Sequence, residues 1–207
     1  MYTGIVLGTE QVCSMTEQQG YRTIWLSNQH GFMDDVFIGA SVAVDGTCLT
    51  VTQIQPSPSQ IAFDISDQTL SLTSLKDLNI GDQVNIERSF KMGMENGGHN
   101  LYGHIEGTVQ VIALSYLGET LHLELAVPTE KMKYLFHKGF IGLHGCSLTI
   151  NQIDPTRSSI AVDLIPETLR LTNFKTLQLG AKLNYEIDQH TRVLVDTLEA
   201  IHQRQNK

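Results

Sequence analysis

The stretch Ser41-Val42-Ala43-Val44-Asp45-Gly46-Thr47-Cys48-Leu49-Thr50-Val51 reads as a β-hairpin. Short runs of β-branched and small residues flank Asp45-Gly46, a pair suited to a tight turn whose central residues both take positive φ. Such a turn fixes the register. It pairs Val44 with Thr47, Ala43 with Cys48, Val42 with Leu49 and Ser41 with Thr50. Alternate side chains point to opposite faces. Val42, Val44, Leu49 and Val51 therefore share one face, which must be core. Ser41, Ala43, Cys48 and Thr50 share the other, a small polar floor with a thiol in its middle, on which a flat polar ring could lie.

The hairpin is written twice. At a constant offset of 99 residues, Gly46, Leu49, Thr50, Gln53 and Ile54 match Gly145, Leu148, Thr149, Gln152 and Ile153. Gly4, Gly8 and Thr9 match Gly103, Gly107 and Thr108, and Gly81, Asn85 and Glu87 match Gly180, Asn184 and Glu186. Chance does not give such agreement at one fixed offset, so the chain reads as two copies of one domain. They span about 1–97 and 98–188, and a tail covers 189–207. In the second copy His144-Gly145 makes the turn. Its floor carries Phe140, Gly142, Ser147 and Thr149, with a hydroxyl where the first presents a thiol.

Further strands are expected at 60–65 and 83–88, with a short helix or turn within 68–77. Short strands punctuated this way predict an all-β fold of two tandem, similar antiparallel barrels, since closure removes exposed edges. From Asp188, a plausible N-cap, the pattern turns helical, with Leu194, Leu198 and Ile201 at helical spacing. One such helix is marginal alone and should pack on its own domain or on other copies.

Composition narrows the function classes. Acidic residues outnumber basic ones 22 to 14, for a formal charge of −8, which disfavours a nucleic-acid partner. No apolar run is long enough for a membrane helix, so no membrane association is expected. Met1-Tyr2-Thr3-Gly4-Ile5-Val6 has neither the basic nor the apolar region of a secretory signal. Cys13, Cys48 and Cys146 suggest neither a disulfide framework nor a metal site, and a cytoplasmic location fits. Gly97-Gly98-His99-Asn100-Leu101-Tyr102-Gly103-His104 concentrates Gly and His where one copy hands over to the other. No Gly-x-Gly-x-x-Gly opens a helix, which argues against a flavin-handling oxidoreductase barrel.

Several of these motifs resemble the riboflavin synthase family. They are the opening Met1-Tyr2-Thr3-Gly4-Ile5-Val6, the Asp45–Val51 hairpin, Gly97-Gly98-His99 with Gly103-His104-Ile105-Glu106-Gly107, Gly145-Cys146-Ser147-Leu148-Thr149 and Ile165-Pro166-Glu167-Thr168-Leu169. The resemblance implies two six-stranded barrels, a C-terminal helix and a homotrimer gathered around it. It implies a reaction without cofactor, the dismutation of two 6,7-dimethyl-8-ribityllumazine molecules. A four-carbon unit passes between them to give riboflavin and 5-amino-6-ribitylamino-2,4-pyrimidinedione. Association with lumazine synthase is a further implied partnership.

Carried over residue by residue, the resemblance implies catalytic roles for Ser41 and Cys48 on the first barrel, and for His104, Thr149 and Asp188 on the second. It implies substrate contacts from Gly4, Ile5, Val6, Cys48, Leu49 and Thr50, and from Gly103, His104, Ile105, Ser147, Leu148 and Thr149. Asp64, Ile65, Ser66, Asp67, Gln68 and Thr69 should close over one ligand. Asp163, Leu164, Ile165, Pro166, Glu167 and Thr168, with Lys138, should close over the other. Two departures stand out: Tyr2 replaces the family's Phe, and Gln68 its first-domain Glu. The rival within the same fold is a non-catalytic lumazine-binding relative of the fluorescent antenna type. Such a relative would be expected to have lost ligand positions in one barrel.

Overall fold

A computed structural model of the chain describes residues 1–206. The first barrel comprises β1 (Gly8–Gln18), β2 (Tyr21–Ser27), β3 (Ser41–Val44), β4 (Thr47–Pro56), β5 (Ser59–Ser66), the short helix α1 (Asp67–Leu72) and β6 (Gln83–Arg88). Its strands close in the order β1-β2-β5-β4-β3-β6. The second copy comprises β7 (Gly107–Leu117), β8 (Thr120–Ala126), β9 (Phe140–Leu143), β10 (Cys146–Thr149), β11 (Gln152–Asp154), β12 (Ser159–Leu164), α2 (Pro166–Leu171) and β13 (Lys182–Ile187). Helix α3 (Gln189–Gln205) follows. Among the described residues no helix is long and apolar enough to cross a membrane.

The expected hairpin register is the observed one: Ser41 faces Thr50, Val42 Leu49, Ala43 Cys48 and Val44 Thr47. Asp45 and Gly46 take φ of +44° and +79°, and His144 and Gly145 take +44° and +81°, as this turn type requires. Val42, Val44, Leu49 and Val51 enter one core with Ile24, Phe63 and Ile86. Ile141, Leu143 and Leu148 enter the other with Leu123, Ile160 and Phe174. Burying each such side chain contributes about 1.5–3 kcal/mol.

The second copy departs from six strands. Its sheet runs β10-β9-β13-β7-β8-β12-β11, with seven segments. One strand has broken in two. Ile150 donates its N–H to Gly139, away from β12, while Asn151 donates to Ala161 on β12. The first copy makes the matching bond from Val51 to the Ala40 carbonyl, yet keeps β4 as one strand with a register shift between Val51 and Gln53. One irregularity is a bulge in one copy and a break in the other.

The barrels meet turn to turn. A Cβ on Gly46 would lie 2.5 Å from the Gly145 nitrogen, and one on Gly145 2.9 Å from the Gly46 nitrogen. Glycine is thus required at these positions by contact as well as by φ. Two amides lock the seam. Asn85 donates from Nδ2 to the His144 carbonyl at 3.0 Å, and its Oδ1 accepts from the Asn173 N–H at 2.8 Å. Asn184 repeats this with the Asp45 carbonyl at 2.9 Å and the Ser74 N–H at 2.6 Å. Both asparagines are buried. Each therefore satisfies its amide across the boundary, where an unpaired group would cost about 1–3 kcal/mol.

Asp45 and His144 hold equivalent posts. The Asn85 N–H donates to Asp45 Oδ1 at 2.8 Å, and the Asn184 N–H donates to His144 Nδ1 at 3.0 Å. His144 Nδ1 must therefore be unprotonated. Burial also holds this imidazole below its ordinary pKa, against the pull of the Asp45 charge. Above about pH 6.5 the ring is neutral in both folded and unfolded chains. Below that, the unfolded chain takes up a proton that the folded chain resists, so stability falls as pH falls. His144→Asn keeps an acceptor and removes the titration. Relative to wild type it should spare up to about 1.4 kcal/mol of the stability lost between pH 7.5 and 5.5, read from urea unfolding. Parallel pH profiles would show that His144 titrates alike in both states.

Candidate active site

Two segments cross between the barrels. Tyr2 and Leu101 form a β-bridge, with N–H to carbonyl distances of 2.7 and 3.0 Å. Beyond it, each segment lies on the opposite copy's hairpin. The Ser147 N–H donates to the Gly4 carbonyl at 2.8 Å, and the Cys48 N–H to the Gly103 carbonyl at 3.0 Å. Gly4 and Gly103 have φ of +76° and +74°. A Cβ on either would fall 2.4 and 2.5 Å from the Cβ of Ser147 and Cys48 respectively.

Two buried carboxylates hold these segments from behind. Glu87 accepts from the Thr3 N–H at 2.7 Å, the Thr3 hydroxyl at 2.8 Å and the Gly4 N–H at 3.1 Å. Glu186 accepts from the N–H groups of Tyr102 at 2.7 Å and Gly103 at 2.9 Å. Burial pushes both carboxyls up, and these hydrogen bonds pull the other way. The repeat in the sequence exposes Glu87 and Glu186 as matched residues but not as the anchors of the crossing segments.

The crossing builds mixed sites. Gly4, Ile5 and Val6 line a cleft of about 170 Å³ with Ser147, Ile165, Glu167 and Thr168, all of them expected ligand residues. At the constant offset the residues matched to this cleft are Gly103, His104 and Ile105 with Cys48, Ser66, Gln68 and Thr69. Gly103, immediately before His104, is seated on Cys48, the residue matched to Ser147.

The floors are also less open than the alternation alone implies. Ala43 and Gly142 are buried against the crossing segments: Tyr2 and Leu101 pack on Ala43, and Leu101 on Gly142. The backbone N–H groups of Cys48 and Ser147 are spent on Gly103 and Gly4. The exposed outer ends, Thr50 and Thr149, remain accessible.

The two hairpin side chains have different neighbours. The buried Tyr2 hydroxyl donates to Cys48 Sγ at 3.2 Å. Burial pushes this phenol well above its usual range, so it stays a donor. Leu101 occupies the matching position and has no such group. Ser147 Oγ instead lies 2.6 Å from His99 Nδ1 and accepts from the His99 N–H at 3.2 Å. The His99 ring stacks on Phe140, with centroids 5.0 Å apart. A Cβ on Gly98 would sit 2.2 Å from the Thr3 carbonyl oxygen, so only glycine brings His99 so close.

The remaining expected residues scatter around these centres. The Ser41 carbonyl accepts from the Ser89 hydroxyl at 2.9 Å. Lys138 has φ of +64° where the first copy has Gly39 at +96°, an outlier suited to a functional position. Asp188 caps α3, accepting from the Thr191 N–H at 3.0 Å and the Thr191 hydroxyl at 2.8 Å. Burial opposes them, but the Thr191 bonds and nearby His190 hold this carboxyl below its usual range. Asp64 accepts from the Thr23 hydroxyl at 2.7 Å, while Asp163 lies 2.7 Å from His122 and accepts from Asn151 at 2.6 Å. The exposed Glu167 is engaged twice by Arg170, at 2.8 and 2.6 Å. Ser66 caps α1 through Thr69. Among the described residues no three His, Cys, Asp or Glu side chains gather as a metal site.

Known proteins place this geometry. The lumazine binding domain matches the chain twice, over residues 3–89 and 102–188. Riboflavin synthase of Escherichia coli (strain K12) is 42% identical over 202 residues, covering 97% of this chain and 93% of that protein. Riboflavin synthase of Chlamydia pneumoniae is 37% identical over 201 residues, with 97% and 96% covered. Among solved structures, LumP complexed with riboflavin superposes with a TM-score of 0.82 at 25% identity, over 90% of this chain and 99% of that one.

Gly103→Ala tests the crossing geometry. The variant meets both the positive φ and the Cys48 backbone, so it should cost about 2–4 kcal/mol in urea unfolding. Gly118→Ala is the comparison, since Gly118 has φ of +62° but open space around its Cβ position. It should cost only about 1 kcal/mol of backbone strain. Equal losses in the two variants would mean that Gly103 is not seated on Cys48.

Proposed function

The chain belongs to the riboflavin synthase family of tandem lumazine-binding domains, and on that membership we propose how its two barrels divide the work. The chain is an enzyme that forms riboflavin from two molecules of 6,7-dimethyl-8-ribityllumazine, one surrendering a four-carbon unit to the other. The observation that carries the division is that the crossing segments seat Gly4 on Ser147 and Gly103 on Cys48, unlike side chains at matched places of the two hairpins.

One lumazine is held by the first hairpin with Gly103, His104 and Ile105, the other by the second hairpin with Gly4, Ile5 and Val6. Holding both in register supplies much of the rate, because effective molarity is worth at most about 7–11 kcal/mol. Proton transfer and nucleophile delivery supply the rest. Cys48 and Ser41 assist addition at one ring, with His104 beside them. Thr149, Lys138 and Asp188 orient the other. Asp64, Ile65, Ser66, Asp67, Gln68 and Thr69 close over the first ligand, and Asp163, Leu164, Ile165, Pro166, Glu167 and Thr168 over the second. No cofactor takes part.

The assembly is a cytoplasmic homotrimer in which the first barrel of one copy meets the second barrel of another. The supporting feature is α3. Tyr134 donates to Asp196 at 2.6 Å and Val195 packs on the second core, so one side of the helix is docked. Leu194 and Leu198 are each 65% exposed and Ile201 is 46% exposed, a row without a partner in the single chain. An association with lumazine synthase would bring substrate supply close to this assembly.

A non-catalytic lumazine binder fits less well, because both clefts keep their hairpin and capping segments. Purified protein mixed with the lumazine should form riboflavin, followed by absorbance. Cys48→Ser and His104→Ala should each slow formation by about 10²-fold. A stable one-to-one fluorescent complex without turnover would sink the enzymatic reading. For the assembly, Leu198→Glu should convert trimer to monomer in light scattering; an unchanged mass would remove α3 from the contact.

A further inference from the structure

Of the two matched hairpin side chains, Cys48 and Ser147, Ser147 has an imidazole within hydrogen-bond distance. His99 Nδ1 lies 2.6 Å from Ser147 Oγ. The same oxygen accepts from the His99 N–H, so its proton is free to point at Nδ1. His99 is 7% exposed, and its Nε2 has no hydrogen-bond partner. Buried orphans of this kind call for an explanation, and a chemical role is one. The ring cannot swing away, because Phe140 stacks on one face and Gly98 is pressed against Thr3 and Ser147. Ser147 itself forms part of the cleft wall beside Gly4 and Thr168.

We propose that His99 is a positioning residue for the reaction, aiming the Ser147 hydroxyl at the lumazine in the second cleft and relaying its proton. This rests on the reading that the chain makes riboflavin from lumazine bound there. The step balances. A methyl C–H bond of the lumazine breaks and its proton joins Ser147 Oγ. The hydroxyl's own proton passes to Nδ1. The lumazine becomes an anion delocalised over its ring, and His99 becomes an imidazolium, so net charge is unchanged. No oxidant or further reactant is needed, and the return of the proton restores both groups.

The surroundings suit a transient charge. Burial pulls the His99 pKa down to about 4, opposed by the charge of Asp188 and reinforced by His190. The ring is therefore neutral and able to accept at the start, and Asp188 favours the cation when it forms. We assign the resting proton to Nε2. Cys48 in the other cleft has the Tyr2 hydroxyl as its neighbour, a group already donating and unable to accept in the same way. The second cleft is thus where the methyl proton is removed.

Exchange of the methyl protons of 6,7-dimethyl-8-ribityllumazine in deuterated water, followed by proton NMR above the spontaneous rate, reads this step alone. His99→Asn keeps an acceptor near Ser147 but cannot carry the proton. It should slow both exchange and riboflavin formation by about 10²-fold. Lumazine affinity, from fluorescence titration, should stay within about threefold, a separation that a purely structural role would not give. Ser147→Ala should lose as much, and the double variant no more, because the pair acts as one unit. Near wild-type exchange in either single variant would overturn the proposal. So would losses that multiply in the double variant, or losses lying wholly in affinity. If His99→Asn fails to fold, Ser147→Ala decides by the same criterion. The wild type tests the underlying function separately, since exchange without riboflavin would refute the synthase reading while leaving the relay intact.

Discussion

Two hairpin turns meet backbone to backbone at Gly46 and Gly145, and the rest of the molecule is arranged around that contact. There is no room for a side chain between them. Close approach in turn brings the carbonyls of Asp45 and His144 within reach of Asn184 and Asn85. Each of those buried amides donates once and accepts once across the seam, which ties the two turns to one arrangement. With the turns fixed, the faces of both hairpins are fixed too. The crossing segments then have only one place to lie, clamped by Glu87 and Glu186 from one side and by the Ser147 and Cys48 N–H groups from the other.

This geometry explains why the repeat retains some residues and frees others. Gly4 and Gly103, Gly46 and Gly145, Asn85 and Asn184, and Glu87 and Glu186 all serve the seam. A change at any of them meets backbone or strands a buried polar group. Cys48 and Ser147 present only their backbone to it, so their side chains can differ without disturbing the fold. Their neighbours differ with them: the Tyr2 hydroxyl meets Cys48, and the His99 imidazole meets Ser147. A nearly symmetric frame thus carries an asymmetric pair of chemistries, which a reaction between two identical molecules in unlike roles requires.

The legible parts of the sequence are the local ones. Asp45-Gly46 determines a register, and the register determines which of Val42, Ala43, Cys48 and Leu49 face inward, so that hairpin could be read residue by residue. The hairpin of β1 and β2 is of the same kind but is hidden, because a register shift between Val12 and Ser14 breaks the alternation. The break at Ile150 is hidden for a similar reason: Val51 makes the matching backbone bond in the first copy without ending its strand. Long-range placement is where the sequence is silent. Gly103 stands within the second copy, and nothing in a reading by copy shows that it is seated on Cys48. The Tyr2–Leu101 bridge, which sends each segment to the other barrel, joins residues far apart in the chain and leaves no periodic trace. His99 was visible only as an unusual density of Gly and His. Its meaning depends on Gly98 letting it approach Ser147, a contact that no spacing encodes.

Segment exchange also bears on why the copies stay covalently joined. If each barrel supplied its whole cleft, either could work as a separate chain. Here the cleft at Ser147 borrows Gly4, Ile5 and Val6 from the first copy, and Cys48 of the first copy is covered by Gly103 of the second. A barrel cut from its partner would lose one wall of its cleft, along with the contacts that cover Ala43 or Gly142. It would also bury neither Asn85 nor Asn184, exposing a seam whose polar groups are shaped for one partner. The linker between the copies places the Gly97-Gly98-His99 element over Thr3 and Ser147. Connection between the domains and assembly of the second cleft are therefore one structural event: the residue proposed to relay the proton is delivered by the segment that joins the barrels.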